Sequence, residues 1–167
     1  PTMAERLDAD VRQLHSAEYR NPAQLNDGSV LVVGAGNSGA QIAVELADGR
    51  DVYLSAGHPL RFMPLRLMGK SIFWWFDKLG VLHANTDSSI GRIVRKRPDP
   101  IFGHELRVKL KTGSIVLKPE AVSAVGNEVA FADRTAVAID NIVWATGFRS
   151  DYSWIDIPGV IGAEGRP

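Results

Sequence analysis

The stretch "VLVVGAGNSGAQIAVELA", residues 30–47, is an apolar run that enters a glycine-rich turn and leaves it as a helical pattern. Val30, Leu31, Val32 and Val33 are consecutive strand formers, as in a strand buried on both faces of a parallel sheet. Gly34, Gly36 and Gly39 follow directly as GxGxxG. In such a turn the first glycine permits the tight bend and the second lets the backbone approach a pyrophosphate. The third lets the helix pack closely on the strand. Asn37 or Ser38 is expected to cap that helix, whose Ile42, Ala43, Leu46 and Ala47 recur at helical spacing before Gly49 closes it. Free amides at a helix start, with the positive end of the helix dipole, hold an anion. "DVYLS", residues 51–55, reads as the next strand. Strand, turn, helix and strand make one half of a dinucleotide-binding unit, which outweighs a merely structural turn as the explanation.

The end of the second strand decides which dinucleotide fits. An NAD site places Asp or Glu there, about 20 residues past the first glycine, to accept hydrogen bonds from the ribose hydroxyls. Here Ser55 occupies that place, followed by Ala56, Gly57 and His58, with Arg61 shortly after. A carboxylate repels a 2′-phosphate, whereas a serine hydroxyl and a guanidinium fork hold one, so NADP(H) is expected over NAD. Arg66, Lys70 and the cluster Arg92, Arg95, Lys96 and Arg97 are further cations, the cluster being read first as a solvated face.

Composition agrees with a small-molecule partner. The 167 residues are 45% apolar, enough for one domain with a real core. Nineteen basic and nineteen acidic residues cancel, so no overall field draws the chain to nucleic acid or an anionic membrane. Cysteine is absent and the four histidines show no ligand spacing, so no metal is expected. No uncharged apolar run approaches the roughly 20 residues that span a bilayer, and a cytoplasmic setting is the expectation.

The remaining sequence is read as completing an α/β, Rossmann-like doubly wound parallel sheet with an inserted antiparallel β-meander. "GKSIFWWFDKLGVL", residues 69–82, places Ile72, Phe73, Phe76 and Leu79 on one helical face, with Trp74 and Trp75 beside it. Adjacent tryptophans do not both enter one small core, so one of them is expected to face another domain or a partner, with ordinary half-burial as the alternative. "HELRVKLKTGSIVLKPEAV" alternates through Leu106, Val108 and Leu110 as a strand does, and short antiparallel strands are expected to join at Gly126 and Asn127. "AIDNIVWATGF" returns to a buried strand at residues 142–145, ending in Thr146 and Gly147.

Four segments together, "LHSAEYRNP" (residues 14–22), "VLVVGAGNSG", "LSAGHPLRFMP" (residues 54–64) and "WATGFRSDYSWI" (residues 144–155), resemble the flavin-containing monooxygenases and their bacterial relatives. The resemblance covers nearly the whole chain. His15 and Tyr19 fit the second half of that family's F-x-G-x-x-x-H-x-x-x-Y/F fingerprint, while Ala9 and Val11 stand where Phe and Gly belong, which points to a bacterial group. Ala145, Thr146 and Gly147 match its A-T-G motif in full.

The resemblance implies an enzyme in which NADPH reduces FAD and a flavin peroxide passes one oxygen to a soft nucleophile or, in a variant chemistry, to a ketone. It implies Gly34, Gly36, Asn37, Ser38 and Gly39 at the pyrophosphate, Ser55 and Arg61 at the 2′-phosphate, and Ala145, Thr146 and Gly147 at the junction with the flavin domain. No side chain acts as acid, base or nucleophile, because the cofactors carry the chemistry. The only GxGxxG is the one at Gly34, so the FAD site is expected outside this chain. Residues 1–28 are read as a hinge from that flavin domain, 29–149 as the NADP-binding domain and 150–167 as a truncated return segment. Other classes stay open: a non-catalytic NADP-sensing or docking module, part of a disulfide reductase-like flavoprotein, or a homo-oligomer formed through an exposed apolar face. A self-contained dehydrogenase is disfavoured, since neither Tyr19, Tyr53 nor Tyr152 has a lysine four residues on.

Overall fold

Val30, Leu31 and Val32 are each 0% exposed, so the strand that leads into the glycine turn is covered on both faces and lies at the centre of the domain. The computed structural model describes residues 3–85, 88, 92, 99–148, 151, 152, 154–157 and 160–162. In chain order these form β1 (Arg12–His15), β2 (Val30–Val33), α1 (Asn37–Leu46), β3 (Val52–Ser55), the short strands β4 (Phe62–Met63), β5 (Arg66–Leu67) and β6 (Lys70–Ser71), and α2 (Ile72–Lys78). Next come β7 (Ile101–Phe102), α3 (Glu105–Thr112), β8 (Ile115–Lys118), β9 (Ala121–Val125), β10 (Glu128–Phe131), β11 (Ala136–Ala138) and β12 (Asn141–Trp144).

Five parallel strands form the main sheet in the order β1-β12-β2-β3-β8. Alternation sorts its side chains into two cores. Val30, Val32, Val52, Leu54, Ile115 and Val143 point to the face covered by α1 and α3, through Ala40, Ala43, Leu46 and Leu106. Leu31, Ile142 and Trp144 point to the opposite face, covered by the antiparallel meander β9-β10-β11 through Ala124, Val129 and Phe131. The parallel α/β sheet and the inserted meander are those expected, with the hairpin turn of the meander at Gly126 and Asn127. Each fully buried leucine of these layers stabilises the fold by roughly 2 to 3 kcal/mol relative to exposure.

Two expectations are corrected. The alternating segment at Leu106, Val108 and Leu110 is the helix α3, not a strand. Leu106 and Leu110, four apart, turn toward α1 and the sheet, while Val108 is 54% exposed. Glu105 in the first turn and Lys109 and Lys111 in the last suit the helix dipole, and Gly113 ends the helix in the left-handed conformation at φ 77°. Second, α1 ends at Leu46 with Ala47 as its cap, so Gly49 lies beyond the helix rather than closing it. Residues 3–28, the described part of the segment expected to be a hinge, also pack against the sheet. Residues 12–15 pair with β12 along their whole length, and Leu7, Val11, Leu14, Tyr19 and Leu25 are buried in the two cores.

The loop before β2 is tied to the sheet by one buried amide. Asn141 is 0% exposed; its Oδ1 accepts from the Asn26 N–H at 2.8 Å, and its Nδ2 donates to the carbonyls of Asn26 and Ser29, both at 3.1 Å. Truncation leaves the Asn26 N–H without a partner, while the Asn26 carbonyl keeps the Arg50 guanidinium and the Ser29 carbonyl keeps the Asn141 N–H, so Asn141→Ala is expected to cost about 1 to 3 kcal/mol, read as a lower denaturant midpoint at unchanged slope. An unchanged midpoint shows that water replaces the amide without penalty.

Candidate nucleotide site

Parallel strands end together, so the carboxyl edge of the sheet gathers the segments that follow β1, β12, β2, β3 and β8. It is also where ligands meet open α/β sheets, at the point where the strand order reverses, here between β12 and β2. The three glycines of the turn do different work there. Gly34 has φ +104°, and a Cβ on it meets the Ala145 carbonyl carbon at 2.8 Å, with the carbonyl oxygen nearer still. A Cβ on Gly39 runs into the Gly34 carbonyl oxygen and lies 3.1 Å from Ala145 Cβ. Around Gly36 a Cβ meets nothing within 4 Å. The first and third glycines are thus consumed in packing turn, helix and A-T-G segment together, and the second faces open space.

Gly36, not Asn37 or Ser38, is the N-cap of α1, and no side chain caps the helix. The N–H groups of Gly36, Asn37, Ser38 and Gly39 make no hydrogen bond among the described residues, leaving four donors at the positive end of the helix. The Asn37 side chain does not cap because it is used elsewhere: Nδ2 donates to the Pro100 carbonyl and Oδ1 accepts from the Phe102 N–H, each at 3.0 Å. Sequence spacing gave no signal for this clamp, whose partners are 63 and 65 residues away.

Ala145, Thr146 and Gly147 leave β12 beside the turn, held by the Ala145 N–H donating to the Val33 carbonyl at 2.8 Å. The Phe148 ring packs edge-on against His15 at 5.5 Å, so the ends of β12 and β1 meet. Tyr19 is buried behind them and donates to Glu45 Oε2 of α1 at 3.2 Å. Burial, then the Glu45 charge and hydrogen bond, push its phenol well above the ordinary tyrosine range.

Beyond β3 stand the two residues expected at a 2′-phosphate, Ser55 and Arg61. Ser55 is 2% exposed; its hydroxyl donates to the Pro119 carbonyl at 2.9 Å and accepts from the Ala121 N–H at 3.0 Å. Its one proton is thus given to a carbonyl within the protein. Arg61 is exposed, its carbonyl accepts from the Ile101 N–H at 2.7 Å, and its guanidinium has no partner among the described residues. Arg66 and Lys70 lie on the exposed β5–β6 hairpin; Arg92 is exposed, and Arg95, Lys96 and Arg97 lie outside the described residues. The expected apolar face of α2 is buried only at Ile72, with Phe73 against Phe102 at 5.1 Å. Of the two tryptophans, Trp75 Nε1 donates to the Leu67 carbonyl while Trp74 is 40% exposed, with Lys70 and Lys78 over its ring. Among the described residues there is no metal-ligating cluster of His, Asp and Glu, and no helix long and apolar enough to cross a membrane.

Fold and turn together define a Rossmann-type α/β unit. Residues 8–60, from before β1 to just past β3, match the model of the flavin-binding monooxygenase-like family. An uncharacterized oxidoreductase, CzcO-like, from Geobacillus kaustophilus is 54% identical over 100% of this chain and 48% of its own length. The flavin-containing monooxygenase from Stenotrophomonas maltophilia has the same fold, with a TM-score of 0.64 at 23% identity over 98% of this chain and 42% of that one. So does the cyclohexanone monooxygenase from Rhodococcus sp. Phi1 bound to NADP+, with a TM-score of 0.57 at 13% identity over 94% of this chain and 45% of that one. The chain is thus similar to flavin-binding monooxygenase-like proteins, through residues 8–60 in sequence, and it spans about half the length of the curated relative it matches.

Proposed function

We propose that this chain is the NADP(H)-binding part of a flavin-dependent monooxygenase-like oxidoreductase that acts on a small molecule. The observation that carries the reading is the Gly36 gap: open space in front of four amides unpaired among the described residues, walled by glycines that are themselves packed shut. A pyrophosphate fits that cradle, because its charge answers the amides and the helix dipole while its bulk needs the missing side chain. The bound NADP+ of the cyclohexanone monooxygenase with this fold supports the same reading.

In this reading Gly34 and Gly39 shape the turn, and the amides of Gly36, Asn37, Ser38 and Gly39 hold the pyrophosphate. Arg61 is left as the 2′-phosphate partner now that Ser55 is spoken for. Ala145, Thr146 and Gly147 border the nicotinamide end and the route to the flavin domain. When bound, NADPH supplies a hydride, and FAD, held by sequence outside this chain, receives it. What this chain contributes is binding and orientation, with no protein acid or base required.

Side-by-side calorimetric titration with NADPH and NADH tests the reading. Arg61→Ala is expected to weaken NADPH roughly 10- to 100-fold, the worth of a charge-assisted phosphate contact, and to leave NADH within about twofold. Equal losses for both nucleotides overturn the Arg61 role, and failure of the wild-type chain to bind either overturns the site.

A further inference from the structure

Ser55 does more than vacate the ribose position. In Rossmann units that read ribose hydroxyls, a carboxylate stands at the end of the second strand. Here the two hydrogen bonds of Ser55, to the Pro119 carbonyl at 2.9 Å and from the Ala121 N–H at 3.0 Å, bracket the residue between those two. That residue is Glu120. Its backbone is held from a second side by the Ala132 N–H, which donates to the Glu120 carbonyl at 2.9 Å, and the preceding strand is held by the Ala56 N–H donating to Lys118 at 3.0 Å. The Glu120 side chain lies over Gly57, its carboxyl carbon 3.7 Å from where a Cβ there stands. The side chain is exposed, and its carboxylate makes no hydrogen bond or ion pair among the described residues.

The two turns wall a cleft of about 510 Å³ at the carboxyl edge, lined by Gly57, His58, Leu60, Lys118 and Glu120 among others. Its lysine is already engaged: Lys118 Nζ sits 5.6 Å above the Phe131 ring and donates to Thr135 Oγ1 at 3.3 Å. His58 Nδ1 lies 3.3 Å from the Pro59 carbonyl. Of the two charged side chains lining the cleft, Lys118 and Glu120, the Glu120 carboxylate is the one without a hydrogen-bond partner among the described residues.

We propose that Glu120, presented by the turn after β8 and anchored by Ser55, reads the adenosine ribose hydroxyls of the bound dinucleotide and lets the site accept NADH alongside NADPH. The proposal rests on the nucleotide reading above. A carboxylate accepts hydrogen bonds from a vicinal diol and repels a 2′-phosphate, so it opposes Arg61 and flattens the preference between the two nucleotides.

The test is calorimetry on the full-length, flavin-loaded protein, with adenosine 2′,5′-bisphosphate and 5′-AMP as probes of the adenosine end and NADPH and NADH as the whole ligands. Glu120→Gln keeps the size and removes the charge. It is expected to tighten the bisphosphate and weaken 5′-AMP, so that their affinity ratio rises about tenfold or more, and Glu120→Lys is expected to raise it further. A ratio unchanged in both variants, with all probes still bound, overturns the Glu120 assignment and leaves the nucleotide site standing. No binding of any probe by the wild type overturns the nucleotide reading and this proposal with it.

Discussion

Gly36→Val is expected to lower the affinity for NADPH and NADH alike by about 100-fold or more, equivalent to roughly 2.8 kcal/mol, while moving the thermal midpoint by less than about 2 °C. The two halves of that expectation come from separate observations. Gly36 has φ −75° and ψ −176°, extended backbone that valine adopts without strain, and a Cβ there touches nothing within 4 Å. The fold therefore has no reason to notice the change. A ligand drawn to the amides of residues 36–39 has every reason, because the added methyl groups fill the space it approaches through. Undiminished binding shows that the turn is structural only; a large loss of stability shows that the gap is filled in solution by another part of the protein.

How far the sequence carries the reading depends on the distance over which each residue is satisfied. The β2 strand, the glycine turn, α1 and β3 are continuous in sequence, each element explains the next, and all four occur in the expected order, with only the two caps of α1 displaced. The meander was legible for the same reason, its turn residues lying between the strands they join. Residues 105–112 were ambiguous because Leu106, Val108 and Leu110 satisfy a period of two as well as an i, i+4 pair. Burial chose the helix, and the charges of Glu105, Lys109 and Lys111 with the Gly113 stop were the neglected local signal.

The partners of Ser55 and Asn37 were not legible for a different reason. As residue types in position they suit a phosphate and a helix cap, but their partners are Pro119 and Ala121 in one case and Pro100 and Phe102 in the other. A buried hydroxyl or amide takes whatever backbone group the tertiary fold presents, and no local pattern announces it. Strand β1 was hidden similarly: in Arg12–His15 only Leu14 is buried, too little for a periodic signal, and the strand exists because β12 offers an unpaired edge.

The same motif yields the opposite outcome three residues further on. Gly39→Val is expected to destabilise the fold by about 4 kcal/mol or more, a large fraction of the 5 to 15 kcal/mol that holds an ordinary domain together. The added Cβ runs into the Gly34 carbonyl oxygen and stands 3.1 Å from Ala145 Cβ, so α1 cannot seat on the turn without one of them moving. Neither yields cheaply. The Gly34 N–H donates to the Ser55 carbonyl at 3.0 Å and the Ala145 N–H to the Val33 carbonyl at 2.8 Å, which fixes both segments to the centre of the sheet. Displacing α1 instead uncovers Ala40, Ala43 and Leu46, which are 3%, 0% and 1% exposed. Chemical denaturation separates the two glycines: a collapsed midpoint for Gly39→Val beside an intact one for Gly36→Val establishes that one packs and the other receives. Equal midpoints for the pair refute the division of labour on which the binding reading depends.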